Sequence, residues 1–158
     1  MKSTLVLFLL LSGPLGLGDS FSPRDPTVKE LIATPERITV GGKDLSVEAY
    51  LWRDFMPISP PGGRPLMASI RLKTVDGTLL PKGLKVARIW LVKGEEVWIP
   101  AKKEVIREDG PPSLLNITLR DGPKWGPGLH VEVVLELRDD QNRSHLIRAS
   151  RQPIHRTD

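Results

Sequence analysis

The chain contains no cysteine. Disulfides, thiolate metal sites, thiol nucleophiles and lipid attachment through an N-terminal cysteine are therefore excluded, and the fold must hold by packing alone. No run of five or more like charges occurs, although the formal net charge is +4. A basic nucleic-acid arm needs such a run, so nucleic acid is not an expected partner. The longest apolar run, residues 5–11 (LVLFLLL), falls far short of the roughly 20 residues of a membrane span. Nucleophile signatures such as GxSxG and SxxK are missing. The three histidines, His130, His145 and His155, lack the HxH or HxxxH spacing of metal ligands. We therefore expect no catalytic residues, no metal site and no cofactor.

The chain does carry a segment that reads as an export signal. Lys2 provides a positive start, LVLFLLL an apolar core of secretory length, and Gly13-Pro14 a break. Gly16 and Gly18 place small residues where a signal peptidase cuts. Residues 1–18 are expected to be removed, leaving a mature chain near Asp19 in the periplasm or outside the cell.

The chain has 158 residues, which suits one domain, and its 14 glycines and 15 prolines suit short elements joined by sharp turns. Residues 19–36 read as a Pro-rich lead-in with one helical turn over residues 28–32 after Pro26. Residues 38–40 form a short strand before the Gly41-Gly42 turn. In residues 45–52 (LSVEAYLW), Leu45, Val47, Ala49 and Leu51 share one face, the two-residue period of a half-buried strand. Residues 66–73 repeat that alternation, and Asp76-Gly77 marks a turn. Residues 85–100 read as a hairpin about Gly94, its first strand apolar on both faces except at Arg88. Residues 102–109 hold a charged edge strand. Residues 114–120 alternate again, with Leu115, Ile117 and Leu119 inward.

The strongest signal is residues 129–149 (LHVEVVLELRDDQNRSHLIRA), a hairpin about the polar loop 139–143. Pairing Arg138 with Ser144 places Leu135 against Ile147 and Val133 against Ala149 on the buried side. On the other side Glu136 meets Leu146, and Val134 meets Arg148 with Glu132 and Glu136 diagonal to it. His130 then lies opposite Gln152 and His145 opposite Leu137. Residues 152–158 read as a polar tail.

About eight short strands with turn signals between them predict an all-β fold, a two-sheet antiparallel β-sandwich over residues 37–151. The strands LSVEAYLW, LMASIRLK, KVARIWLV, LLNITLR and LHVEVVLELR…SHLIRA resemble those of an immunoglobulin-like or fibronectin type III-like sandwich. The resemblance is one of architecture. The inter-sheet cystine of antibody domains is absent, and the single tyrosine, Tyr50, is on the wrong strand for a tyrosine corner.

Function is carried best by the aromatics. Trp90 and Trp98 fall within apolar strands and read as core. Trp52 has outward parity and leads into Arg53 and Phe55 at the start of a stiff loop, residues 53–65 (RDFMPISPPGGRP). Trp125 sits in the rigid turn DGPKWGPG, where it either plugs an open end of the fold or offers a binding surface. Aromatic side chains give large contact area at low entropic cost. The expected binding residues are Trp52, Arg53, Phe55 and Trp125. The expected function is an exported, non-enzymatic domain with a protein–protein or surface-binding role and an unidentified protein partner. The alternative is a small-ligand or glycan module using Trp52 and Trp125. An enzyme would need His130 or His145 to meet a carboxylate in a pocket. The oxygen-rich tip formed by Asp139, Asp140 and Asn142 lacks the distant carboxylate of a calcium site and reads as an ordinary polar loop. Asn116-Ile117-Thr118 and Asn142-Arg143-Ser144 match the N-glycosylation pattern.

Overall fold

The computed structural model describes residues 24–106 and 113–158. The export segment at residues 1–18 lies outside the described residues. Among the described residues the fold is all-β, with one short helix, α1 (Val28–Ile32), and nine strands. The first five strands are β1 (Arg37–Val40), β2 (Lys43–Asp54), β3 (Met67–Thr74), β4 (Lys85–Lys93) and β5 (Glu96–Trp98). The remaining four are β6 (Glu104–Ile106), β7 (Leu114–Leu119), β8 (His130–Arg138) and β9 (Ser144–Thr157).

The hairpin of β8 and β9 has the expected register, including Arg138 opposite Ser144, Leu135 opposite Ile147 and Val134 opposite Arg148. Alternation fixes it, because a one-residue slip would turn Val133, Leu135 and Leu137 out to water. The register shifts beyond Val133. Glu132 alone faces both Ser150 and Arg151, so His130 lies opposite Pro153 rather than Gln152. This is a β-bulge, and Arg151 within it adopts a left-handed φ of 50°.

Past the bulge the chain does not become a polar tail. Residues 152–157 continue β9, and Ile154 to Thr157 pair in parallel with Leu51 to Asp54 of β2. Ile154 is buried in the main core. This parallel pair corrects the expectation of two separate, purely antiparallel sheets. The strands instead follow one hydrogen-bonded path, β5-β4-β8-β9-β2-β3-β7-β6, with β1 on β2. The path curls so that its halves face each other across one core. Leu45, Leu51, Ile70, Leu72 and Ile117 come from one half, and Ile89, Leu91, Val133, Leu135 and Ile147 from the other. Both ends of the path are three-residue strands, β5 and β6, which offer little edge for further pairing.

The lead-in is part of this domain from residue 24 onward. Thr27 caps α1: its hydroxyl accepts the Glu30 N–H, and the Glu30 carboxylate accepts the Thr27 N–H at 2.7 Å. Leu31 then packs with Trp90, Val92 and Val134 in a second apolar cluster. That contact explains why β4 is apolar on both faces: one side meets the main core, the other the helix. Arg148 ties the segment down, donating from Nε to the Thr34 carbonyl at 2.8 Å and from its backbone to Pro35.

Candidate functional site

Arg53 does not lie in the loop. It is a residue of β2 and continues the inward parity of Leu45, Val47 and Leu51, so its side chain enters the interior and is only 4% exposed. A buried guanidinium must find acceptors. Here Nε donates to the Arg64 carbonyl at 2.9 Å and Nη2 to Gly62 at 2.5 Å, while Nη1 reaches Lys124 and Trp125. One side chain thus clamps the loop after β2 to the turn before β8.

Phe55 is half-buried rather than presented. The guanidinium of Arg53 lies 4.9 Å from its ring centroid and that of Arg156 4.2 Å, a cation–π contact from each. Gly63, at φ 77°, packs against the ring so closely that a Cβ there would sit 2.7 Å from it. Further bonds brace the rest of the loop: the Asp54 carboxylate Oδ1 accepts the Met56 N–H, and backbone carbonyls accept the others, Met56 from Ser59 N–H, Pro60 from Gly63 N–H and Asp54 from Arg64 N–H. What this loop exposes is its tip, with Met56 at 46% and Ile58 at 84%. Neither was singled out from the sequence, although both lie in the loop that was.

Trp125 is 9% exposed and belongs to the main core, so it plugs the fold and does not pair with Trp52 as a stacking surface. Trp52 is half-buried on the outer face of β2. It stands 5.6 Å from Tyr50, and Tyr50 stacks on His155 at 4.6 Å with an interplanar angle of 15°. Sequence reading missed Tyr50 and His155. The signal for Tyr50 was present in its parity, two residues before Trp52. His155 had none, because it depends on the parallel pairing of β9 with β2.

His145 does meet a carboxylate, Nε2 lying 2.9 Å from Asp139 Oδ2. The pair is taken up by the hairpin loop. Asp139 Oδ1 accepts the backbone N–H groups of Gln141 and Arg143, and Oδ2 also accepts Arg143 Nε. The His145 bond foremost, then the Arg143 N–H, hold the Asp139 carboxyl well below the usual carboxylate range. Among the described residues, no three His, Asp or Glu side chains converge as metal ligands. Asn142 is exposed at the hairpin tip, while Asn116 is half-buried on β7.

Glu136 is a second carboxylate tied into the fold. Burial pushes its carboxyl up, but hydrogen bonds from Arg88 and Ser144, with the charges of Arg88 and Arg138, outweigh it and hold the group low. No helix among the described residues is long and apolar enough to cross a membrane. Comparison with protein-family models, with curated proteins and with solved structures finds no match for this chain.

Proposed function

We propose that the chain is an exported, non-enzymatic binding domain that contacts a protein partner through the loop at residues 55–65. One observation carries the reading: Ile58 stands 84% exposed, with Met56 beside it in the same tip, on a loop locked from within by buried Arg53. An exposed apolar tip gains free energy when a partner takes it out of water. Four prolines and the Arg53 clamp remove most of the freedom that binding would otherwise have to freeze. Trp52 borders the loop base and extends the contact surface.

Export rests on the leader pattern at residues 1–18. The non-enzymatic reading is supported by the use of His145 and Asp139, the nearest thing to an acid–base pair, in holding the β8–β9 loop. The immunoglobulin-like kinship rests on β2, β3 and β7 facing β4, β8 and the first half of β9 across one core.

The test uses the mature chain, residues 19–158, immobilised beside a Met56→Asp/Ile58→Asp variant with unchanged thermal unfolding. A partner from the source's envelope or culture fluid that the wild type retains and the variant loses supports the loop. Equal retention by both places the contact elsewhere. Sequencing the N-terminus of the chain recovered from the producing cells' envelope or medium checks export, the expected start being near Asp19.

A further inference from the structure

The ladder on one edge of β2 is interrupted. β1 pairs with β2 up to Ser46, and β9 takes over from Leu51, so residues 47–50 have no strand partner on that side among the described residues. Two clefts open around this stretch. One, of about 340 Å³, is lined by Glu48, Ala49, Tyr50, Ser69 and Arg71. The other, of about 450 Å³, shares Glu48 and runs past Lys73 and Ser46 to Glu36, Arg37 and Ser150.

The geometry points to a second binding site here, for an acidic saccharide chain with the Tyr50 ring and the Arg71 guanidinium as its anchors. Tyr50 is 48% exposed yet held in place by its stack on His155, so a flat apolar surface is ready before any ligand arrives. Arg71 is exposed and makes no hydrogen bond or ion pair with a described residue. Its cross-strand neighbour Glu48 is engaged by Lys73 instead. A guanidinium fork without a partner matches a carboxylate in two parallel hydrogen bonds. The Ser69 hydroxyl and the Glu48 carboxylate lie alongside, the donors and acceptors that sugar hydroxyls require. The C–H face of a pyranose ring suits an aromatic wall, and two adjoining clefts give room for more than one sugar unit. A purely apolar ligand would leave Arg71 and Glu48 desolvated without compensation. The site uses no residue of the loop at 55–65 and stands independently of the reading given for it. It also relocates glycan recognition from Trp125, which is buried, to Tyr50.

The experiment is calorimetric titration of the mature chain with galacturonate, glucuronate and mannuronate oligomers. Carboxyl-reduced oligomers and a polyglutamate peptide serve as comparisons. Arg71→Gln and Tyr50→Ala are titrated in parallel, their folding checked by circular dichroism. The expected result is binding of at least one uronate oligomer, weakened about tenfold or more by either substitution and by carboxyl reduction. Failure of all three oligomers to bind overturns the proposal. So does binding that both variants retain, or equally tight binding of polyglutamate, which would make the cleft a reader of acidic peptides. If a variant fails to fold, Arg71→Lys and Tyr50→Phe replace it. The lysine, which cannot form the fork, is expected to weaken binding and the phenylalanine to preserve it, and the opposite pattern also overturns the proposal.

Discussion

Glu132 faces the bulge of β9 and accepts the backbone N–H of Arg151 at 3.2 Å. The same carboxylate oxygen accepts Arg148 Nη1 at 2.9 Å. A bulge leaves an amide without a ladder partner, and here an acidic side chain from the opposite strand supplies one. Glu132→Ala is therefore expected to cost about 1–3 kcal/mol of stability, with Glu132→Gln recovering part of it. Arg151→Gly should act in the opposite direction from most strand glycines. It relieves a left-handed arginine and raises stability by up to about 1 kcal/mol. Urea unfolding midpoints of the three variants check both signs.

Asp139 predicts an acid-sensitive hairpin. Its folded value lies below the unfolded value of about 3.9, so it is the ionised form that stabilises the fold. That contribution is complete above about pH 4 and is lost as pH falls from there through the folded value. Glu136 is shifted in the same direction and adds to the same loss. Denaturant midpoints between pH 2 and pH 6 should fall steeply at the acid end for the wild type and less steeply for Asp139→Asn. Parallel slopes would show that Asp139 is not the titrating group.

The Arg53 clamp predicts that its geometry matters more than its charge. Arg53→Ala leaves four carbonyls without their donor and should cost about 2–4 kcal/mol. Arg53→Lys keeps the charge but cannot span Arg64, Gly62 and the turn at Lys124 and Trp125, so it should rescue little. Limited proteolysis gives the local readout: cleavage within residues 56–63 should accelerate in both variants.

Leu31 predicts that the short lead-in is structural. It is buried against Trp90, Val92 and Val134, and Leu31→Ala should cost about 2–4 kcal/mol, as for any core leucine. Loss of the contact should also expose Trp90, shifting its fluorescence to the red. A variant as stable as the wild type would show that α1 rests on the sheet without holding it.

The elements that were legible in advance share one property: their neighbours in space are neighbours in sequence. The β8–β9 register, the β4–β5 turn at Gly94 and the helical turn after Pro26 all follow from alternation and turn chemistry within about 20 residues. Arg53 was misplaced because a charged residue at the end of an apolar strand reads as a loop start, although its parity with Leu51 pointed inward. The segment QPIHRTD reads as a tail because Pro153 interrupts it and Ile154 is its only aliphatic side chain. Its strand character comes from β2, about 100 residues earlier. The candidate sites follow the same division. The 53–65 loop was visible as a run of prolines and glycines, whereas the pairing of Tyr50 with His155 depends on that distant parallel contact.

β9 pairs with both halves of the curled sheet, with β8 through its first part and with β2 through its last. Among the described residues no other strand bridges them, and the other strands all precede it in the chain. The order of synthesis therefore becomes an order of assembly: until β9 emerges, the two halves can touch only through side chains. Closure waits for β9 and depends on contacts remote in sequence, which slows it. For a chain exported as proposed, such delay is useful, because a polypeptide that has not closed is one that can still be threaded through a narrow channel.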